Sequence, residues 1–378
     1  MGLAIRNILV TGSDGFVGKN FTARLNELAD FKVFTFDKKD SLSDLDKYVQ
    51  NADIIFHLAG INRPETDDEF VRGNAGFTEH IISLALKSNK TLPVVFSSSI
   101  QAEINNPYGI SKKKAEDVLI NYSKKTGSKI FIFRFPNLFG KWCMPNYNSV
   151  VATYCYNVSH GLEIHISNRE NKLTLAYIDD VITEFIKILK FDSFDETGKY
   201  FYEVDKVYNI TLGEVADKIS SFYSVKNSIC IPDFKDDFTR KLYSTFLSYF
   251  EKETFSYPLQ VHCDERGSLF EVLKSSNIGQ IFISTTKPGI ERGNHYHHTK
   301  IEKFIVIKGN GIVKLRNILG NEIIEYRVSG DSPVSIDIPP GYTHSIINTG
   351  NTEMITLFWA NEIFDPEIAD TYFYKVVI

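Results

Sequence analysis

Residues 11–18 read Thr11-Gly12-Ser13-Asp14-Gly15-Phe16-Val17-Gly18 and lie between a short apolar run, Ile8-Leu9-Val10, and a helix-like stretch, Gly18 to Leu28. Glycine allows a tight turn with positive φ, and its missing Cβ lets a phosphate group approach the backbone. The N-terminus of a helix offers that phosphate free N–H groups and a partial positive charge. A tight structural turn is the alternative, but the strand–turn–helix context predicts a nucleotide site.

Short apolar runs alternate with amphipathic segments through the first half of the chain. Such alternation predicts a parallel sheet with helices on both faces. The strand-like runs are Ile8-Leu9-Val10, Val33-Phe34-Thr35-Phe36, Ile54-Ile55-Phe56, Pro93-Val94-Val95-Phe96 and Ile130-Phe131-Ile132-Phe133. After Tyr257-Pro258 short strands recur between Gly- and Pro-containing turns, which predicts an all-β sandwich or barrel. We therefore expect an α/β domain over residues 1–250 and an all-β domain over residues 255–378.

The composition narrows the class of protein. The 378 residues carry 42 Lys and Arg against 47 Asp and Glu, a net charge of −5, so the chain is a poor candidate for binding nucleic acid. No apolar stretch approaches the ~20 residues that span a bilayer. Residues Met1 to Asn7 lack the zones of a signal peptide, and the four cysteines form no CxxC pair. We expect a cytoplasmic protein without membrane insertion.

The predicted second strand ends at Asp37, about 20 residues beyond the glycines. A carboxylate at this position usually accepts the ribose hydroxyls of NAD and disfavours a 2′-phosphate. Lys38 and Lys39 follow and can compensate the charge of such a phosphate, although a solvated charge run is the simpler interpretation of the lysines. The local residues favour NADH without excluding NADPH.

Tyr108 and Lys112 are four residues apart and therefore lie on one face of a helix. An ammonium beside a phenol lowers the pKa of the phenol from its usual value of ~10. Such a tyrosine can protonate a carbonyl oxygen as hydride reaches the carbon. The predicted fourth strand ends in Ser97-Ser98-Ser99, where a hydroxyl can bind the same oxygen. A surface helix pair is the alternative interpretation of the Tyr/Lys spacing.

Together these segments resemble the extended short-chain dehydrogenase/reductase superfamily. The resemblance covers roughly residues 5–250 and includes TGSDGFVG, HLAG (57–60), Asn74, SSS, YGISK, RFPNLFG (134–140) and YIDD (177–180). It implies that Ser99, Tyr108 and Lys112 are catalytic, with the alignment selecting Ser99 over Ser98. It also implies nucleotide-sugar contacts from Asn137 and Lys141, for which ordinary loop residues are an equal alternative. The coenzyme-binding residues that it implies are Gly12, Gly15, Phe16, Val17, Gly18, Asp37, Lys38, Leu58, Ala59, Gly60, Tyr108 and Lys112.

A metal-type pattern lies in the all-β half. His295 and His297 point to one face of a strand because side chains alternate with a period of two. Glu302 follows on the next strand, and His344 lies 42 residues beyond Glu302 in a Pro/Gly frame. Three imidazoles and a carboxylate suit Zn²⁺, Fe²⁺, Mn²⁺ or Ni²⁺. A chance His-rich turn is the alternative, and the second element makes it the weaker one.

These spacings resemble the two cupin motifs, which implies a small jelly-roll barrel, with or without its metal. The segments around Arg266 and Arg292 also resemble the DxRGxFxE and RGxHY motifs of the dTDP-4-keto-sugar 3,5-epimerases. That resemblance makes His295 a base that removes a proton next to a ketone and makes both arginines substrate-binding groups, with structural turn residues as an even alternative. If a metal is bound, His298 or a metal-bound water is an alternative carrier of the proton.

The whole chain resembles the bifunctional capsular polysaccharide enzymes that make UDP-2-acetamido-2,6-dideoxy-L-talose. The resemblance rests on NPYGISK, RFPNLFGKWCMPNYNSV, GNHYHHTKIEKF, GYTHSI and FDPEIADTYF. It implies C3 epimerisation of a UDP-4-keto sugar in a zinc cupin, NADPH-dependent C4 reduction, and a homodimer. One alternative is a UDP-sugar reductase whose cupin serves dimerisation or docking. The other is a nucleotide-sensing protein on an inactive reductase fold, against which Ser99, Tyr108 and Lys112 argue.

Overall fold

The computed structural model describes residues 6–88, 90–190 and 198–377. The chain divides into two compact units that are interleaved in sequence. Unit 1 consists of residues 1–219 and 241–250, and unit 2 consists of residues 220–240 and 251–378.

Unit 1 contains a six-stranded parallel sheet with the order β2-β1-β3-β4-β5-β8, and a small sheet with the order β6-β7-β9. The strands are β1 Arg6–Thr11, β2 Phe31–Phe36, β3 Ile54–His57, β4 Val94–Ser99, β5 Ile130–Phe135, β6 Asn137–Phe139, β7 Lys172–Tyr177, β8 Phe201–Tyr202 and β9 Tyr208–Thr211. All five strands that the sequence predicts for the large sheet are present, which confirms the Rossmann-like α/β prediction.

Helices cover both faces of the large sheet. Leu9 packs into one apolar core, whereas its neighbours Ile8 and Val10 pack into the other, because alternate residues of a strand face opposite sides. The α-helices of both units are α1 Phe16–Asn26, α2 Leu42–Asn51, α3 Asp67–Phe70, α4 Phe77–Lys87, α5 Pro107–Thr126, α6 Val150–Ser159, α7 Ile178–Lys190, α8 Leu212–Tyr223, α9 Val225–Ser228 and α10 Asp237–Leu247, of which α9 belongs to unit 2. In the described part of the chain, none of these helices combines the length and apolarity needed to cross a membrane.

The strand order of the large sheet reverses between β1 and β3. In open α/β sheets, ligands bind beyond the carboxyl ends of the strands at such a reversal. The turn after β1 and the loop after β3 therefore mark the binding crevice of unit 1.

Unit 2 contains two mostly antiparallel sheets, with the orders β10-β11-β12-β19-β14-β17 and β16-β15-β18-β13-β20. The strands are β10 Val261–Asp264, β11 Gly267–Ser275, β12 Gly279–Thr286, β13 Glu291–Tyr296, β14 Glu302–Lys308, β15 Asn310–Asn317, β16 Ile323–Ser329, β17 Ser335–Ile338, β18 Tyr342–Asn348, β19 Met354–Ala360 and β20 Tyr372–Phe373. Apolar side chains from both sheets form one core, and the all-β prediction is confirmed.

Residues 220–240 belong to unit 2, whereas the sequence-based boundaries place them in the first domain. The reason is a short backbone pairing. The N–H of Ile231 donates to Lys274 O (2.8 Å), and the N–H of Lys274 donates to Ile229 O (2.9 Å). This pairing adds residues 229–231 to strand β11 at a sequence separation of more than 40 residues, which a local pattern does not encode.

We predict that Leu119→Ala destabilises unit 1 by about 2–5 kcal/mol, because Leu119 is fully buried under the sheet and its removal leaves a cavity. Leu86→Ala is the matched control, since Leu86 also lies on a helix but is 50% exposed, and it should change stability by less than about 0.5 kcal/mol. Urea unfolding followed by circular dichroism measures both. Equal effects would contradict the described core.

Candidate functional site

The glycine turn after β1 is closed against the loop after β3. Gly12 has φ +72°, and a Cβ there would lie 2.6 Å from backbone atoms of Ala59. Gly15 is the N-cap of α1, and a Cβ on Gly18 would collide with the carbonyl of Gly12. The side chains of Phe16, Val17 and Leu58 pack against the core below the turn. The turn thus presents the first N–H groups of α1 at the sheet's switch point, as a phosphate site requires.

Asp37 follows β2 and is tied to the glycine turn. Its carboxylate accepts the N–H of Asp14 and the N–H of Lys38, both at 2.8 Å. The ammonium of Lys39 donates to Asp14 at 2.8 Å, and Lys38 is exposed beside them. The carboxylate is therefore held at the edge of the crevice, where the adenosine ribose of a dinucleotide is bound in such folds.

Ser99, Tyr108 and Lys112 come together at the end of β4 and the start of α5. Burial raises the pKa of Tyr108 above its usual value, and the nearby Ser99 side chain lowers it in part. The sequence predicted a lowered pKa for this phenol, and that expectation is wrong because burial has the largest effect. The phenol is consequently protonated at neutral pH, which is the form that donates a proton.

Lys112 is buried and aimed into the crevice. Its ammonium donates to Ser97 O (2.9 Å) and lies 6.0 Å from the centre of the Tyr108 ring. Burial lowers the pKa of Lys112 to about 8, and Glu116 opposes the fall. A Cβ on Gly60 would lie 3.0 Å from the ammonium, so glycine at this position leaves it accessible from the β3 loop.

Behind these residues lies a buried ion pair that the sequence patterns do not predict. Glu116 is fully buried, and Arg134 donates to its two oxygens at 2.8 and 2.6 Å. Ser98 donates to the same carboxylate at 2.6 Å, so its hydroxyl is engaged away from Tyr108. The available signal was spacing, since Glu116 lies one helical turn beyond Lys112 on the same face.

A series of buried hydrogen bonds around His57 also supports the crevice. His57 Nδ1 lies 2.8 Å from the hydroxyl of Thr11, and its Nε2 lies 2.9 Å from the hydroxyl of Thr78. Thr78 donates to the carbonyl of Asn74 at 2.8 Å, so it accepts from His57. Burial, aided by the charge of Lys112, lowers the pKa of His57 to about 3. This histidine is a neutral structural group.

The two predicted nucleotide-sugar residues have different surroundings. Asn137 is exposed at the start of β6. Lys141 donates to Asp179 at 2.6 Å, and its carbonyl accepts the side-chain amide of Asn20 at 3.2 Å. Lys141 is thus tied to α1 and α7, and Asn137 is open to solvent.

In unit 2, the donor atoms of His295, His297, Glu302 and His344 all lie within 4.8 Å of one another. Nε2 of His297 and Nε2 of His344 each lie 3.3 Å from Oε2 of Glu302. His295 and His344 face each other across β13 and β18, whereas Glu302 comes from β14 in the other sheet. The cluster therefore lies between the two sheets.

The ring orientations suit a cation. His297 Nδ1 is hydrogen-bonded to the carbonyl of Asp370, and His344 Nδ1 lies 3.2 Å from the carbonyl of Tyr342. These bonds place a proton on Nδ1 and leave Nε2 as a donor of an electron pair. Both Nε2 atoms are buried without a hydrogen-bond partner in the described residues. The residues fit a divalent metal.

A bulge in β13 helps to assemble the cluster. The register with β18 shifts between Gly293 and His295, and Asn294 adopts φ +63°. The extra residue places His295 opposite His344. Side-chain alternation alone predicted the shared face of His295 and His297, but not this pairing.

The remaining predicted residues of unit 2 lie outside the cluster. Arg266 donates to Asp264 from Nε (2.8 Å), and Arg292 donates to the carbonyl of Thr285 (3.1 Å). Nε of Arg292 is buried and without a hydrogen-bond partner in the described residues, and burial lowers the pKa of its guanidinium. His298 is exposed, with its ring 4.9 Å from that of Tyr372. The structure therefore does not bring His298 to the metal-type donors.

Fold and sites together define a class of protein: a dinucleotide-binding unit with a Ser/Tyr/Lys group, joined to a β-sandwich with a metal-type cluster. Residues 8–210 match the NAD dependent epimerase/dehydratase family, and residues 262–372 match the polysaccharide biosynthesis C-terminal domain. The chain is 41% identical to UDP-2-acetamido-2,6-beta-L-arabino-hexul-4-ose reductase of Pseudomonas aeruginosa, over 97% of each chain.

Solved structures agree with this assignment. The capsular polysaccharide assembling protein CapF from Staphylococcus aureus is 44% identical, with a TM-score of 0.91 over 98% of this chain and 100% of that one. The Bordetella bronchiseptica enzyme WbmF is 22% identical with a TM-score of 0.51, over 59% of this chain and 78% of that one, and shows the fold alone. The chain belongs to the NAD dependent epimerase/dehydratase family and is an NAD(P)H-dependent oxidoreductase.

We predict that Glu116→Ala destabilises unit 1 by about 3–5 kcal/mol, because it leaves Arg134 and Ser98 without their buried partner. Glu103→Ala is the matched control, since Glu103 pairs with the same arginine but its side chain is 72% exposed. It should cost no more than about 1 kcal/mol. Denaturant unfolding of both variants gives the comparison, and a similar small loss in each would show that the buried pair is not a main support.

Proposed function

We propose that the protein is a bifunctional nucleotide-sugar enzyme. Its cupin unit inverts C3 of a UDP-2-acetamido-2,6-dideoxy-hexos-4-ulose, and its reductase unit then reduces the C4 ketone with NADPH. The product is UDP-2-acetamido-2,6-dideoxy-L-talose, on the route to N-acetyl-L-fucosamine in capsular polysaccharide.

One observation carries this proposal: a protonated, half-buried Tyr108 close to Ser99, with a buried Lys112 one helical turn away, in a chain with a second, metal-type cluster. The relative from Pseudomonas aeruginosa is a reductase of a UDP-linked 4-keto sugar by its name, and it aligns across both units. Its alignment supports a substrate of the same class here.

The reduction needs a proton at the carbonyl oxygen while hydride arrives at carbon. The coenzyme supplies the hydride when bound. The Tyr108 phenol donates the proton to O4, and the Ser99 hydroxyl binds O4 as negative charge develops on it. The Lys112 ammonium stabilises the phenolate that remains. Behind them, Glu116 and Arg134 hold the end of β4 against α5.

NADPH is the proposed coenzyme, and NADH is the alternative. Asp37 supports NADH because its carboxylate is held where the adenosine ribose binds. Lys38, exposed beside it, supports NADPH as a partner for a 2′-phosphate. The resemblance to the capsular enzymes is the reason for placing NADPH before NADH.

Epimerisation uses the same ketone. A C4 carbonyl acidifies the C3 proton because the resulting carbanion is an enolate, and protonation on the opposite face inverts C3. Zn²⁺ would be held by His295, His297, Glu302 and His344, and when bound it polarises a carbonyl oxygen as a Lewis acid. Arg266 and Arg292 are the proposed contacts for phosphate and sugar, and His298 is a further candidate.

His295 has two candidate roles, metal ligand and base. It is the least buried of the four cluster residues, and it lies opposite His344. Metal content of a His295→Ala variant separates the roles, because a base is dispensable for binding the metal and a ligand is not.

Two other functions compete with this one. In the first, the cupin serves only structure or dimerisation, and the chain is a reductase alone. The buried, unpartnered imidazole nitrogens favour a working site over that view. In the second, the chain senses a nucleotide without catalysis, which the Ser99–Tyr108 contact and Lys112 do not favour. A homodimer stays a prediction.

For the reductase unit we predict that Tyr108→Phe lowers the rate of keto-sugar reduction about 10²- to 10⁴-fold, because the oxygen loses its proton donor. Tyr48→Phe, a change of the same type on a ring stacked against Phe34, should leave the rate unchanged. Coenzyme oxidation with the UDP-4-keto sugar gives the rates. An active Tyr108→Phe variant would remove this residue from the mechanism.

For the cupin unit we predict deuterium at C3 when the enzyme and the UDP-4-keto sugar are incubated in D₂O without reduced coenzyme. His344→Ala should abolish the label, whereas Tyr108→Phe should retain it, because exchange does not use the reductase residues. Mass spectrometry and NMR of the recovered sugar locate the label. An unlabelled C3 with wild-type protein that reduces the ketone would leave the chain a reductase alone.

A further inference from the structure

We propose that the C-terminal strap, residues 370–376, positions the metal ligands of the cupin and slows release of the metal, with Asp370 as its main positioning residue. The inference rests on the metal site in the proposed function. It adds a part of the chain that lies 26 or more residues beyond the last ligand, His344.

Asp370 makes contact with the cluster through two groups. Its carbonyl accepts the hydrogen bond from Nδ1 of His297 and so orients that ring. Its carboxylate accepts the backbone N–H groups of His298 (2.9 Å), Thr299 (2.7 Å) and Lys300 (2.9 Å). One residue thus orients His297 and fixes the loop that joins it to Glu302.

Thr371, the next residue of the strap, is linked to the carboxylate ligand Glu302 through the side chain of Lys300. The Lys300 ammonium donates to the hydroxyl of Thr371 at 3.1 Å and lies 3.6 Å from Oε1 of Glu302. The Lys300 side chain is 11% exposed, so this cation is largely removed from water. Its position leaves Oε2 of Glu302 as the oxygen directed at the imidazoles.

The far end of the strap holds the residues beside the other two ligands. Backbone N–H of Tyr374 donates to the carbonyl of Asn294 (2.9 Å), next to His295. The hydroxyl of Thr343, next to His344, donates to the carbonyl of Tyr374. Arg316, buried, donates to the carbonyls of Lys375 (2.7 Å) and Val376 (2.8 Å) and anchors the end. The strap therefore contacts His297 directly and Glu302 through Lys300. It contacts His295 and His344 through the residues next to them in the sequence, Asn294 and Thr343.

The strap is also attached beside the cluster by strand pairing and by aromatic contacts. Its strand β20 pairs with β13, where Phe373 lies opposite His295. The rings of Tyr372 and Tyr374 lie 5.4 and 6.2 Å from that of Tyr296, and Val376 is buried at the end of the strap. Binding and positioning are reciprocal: a metal that fixes His297 stabilises the docked strap, and the docked strap retains the metal.

The full-length protein is first loaded with Zn²⁺. The experiment then measures the rate at which the protein releases the metal to an excess of a chromogenic chelator. Asp370→Ala keeps the backbone carbonyl that binds His297 but removes the carboxylate that holds residues 298–300 and, with them, the position of that carbonyl. It should release Zn²⁺ about 10- to 100-fold faster than wild type, the range found when the support of a metal-ligating residue is lost. Asp370→Asn, which keeps an acceptor oxygen but not the charge, should give an intermediate rate. Asp365→Ala is the matched control, because Asp365 lies on the same C-terminal segment and accepts the N–H of Glu367 (2.9 Å). It should release Zn²⁺ at the wild-type rate.

Folding is monitored independently, by circular dichroism and by urea unfolding of the Asp370 and Thr371 variants. Thr371→Val is a milder second variant that should also release Zn²⁺ faster while it leaves the Asp370 contacts in place. Wild-type protein that retains Zn²⁺, with Asp370→Ala and Thr371→Val releasing it at the wild-type rate, would overturn the positioning role. Wild-type protein that retains no Zn²⁺ would overturn the proposed metal site first, and the role of the strap with it.

Discussion

Buried charge is the constraint that shapes both units of this protein. An ionised group removed from water destabilises the fold unless a partner of opposite charge or a set of hydrogen bonds meets it. In unit 1, Arg134 meets Glu116, and Lys112 donates to a strand carbonyl. In unit 2, the buried Glu302 lies 3.6 Å from the ammonium of Lys300. In each case the partners come from different elements, so the fold and the functional group specify each other.

The two units place their functional side chains at different kinds of position in the fold. Unit 1 places its reactive groups at strand ends, where the order of the sheet reverses and a crevice opens. Glycine at position 12 permits the turn after β1 to close on the loop after β3. Unit 2 places its donors between two sheets, and a bulge in β13 is needed to align His295 with His344. A site inside a sandwich depends on register, whereas a site at strand ends depends on turns.

The proposed chemistry explains why one chain carries both units. A ketone beside a stereocentre makes that centre exchangeable, and reduction of the same ketone ends the exchange. The first process needs a base and an electrophile near the carbonyl, and the second needs a proton donor such as Tyr108 at the carbonyl oxygen. Joining the two activities in one polypeptide keeps them in a fixed ratio in the cell, so that the epimerised ketone meets a reductase in equal amount.

The sequence by itself determined the elements and the local motifs: the strands β1 to β5, the glycine turn, the Tyr108/Lys112 spacing and the four metal-type residues, because strand period, helix period and turn chemistry act over a few residues. The tertiary structure decided what depends on distant partners. In the folded chain Glu116 pairs with Arg134, and residues 229–231 lie beside β11. His298 lies away from the metal-type donors, and Asp370 contacts His297. The tertiary structure also reversed the expected direction of the Tyr108 pKa shift, because burial is a property of the whole fold and has a larger effect than the neighbouring Ser99 side chain, which lowers the pKa.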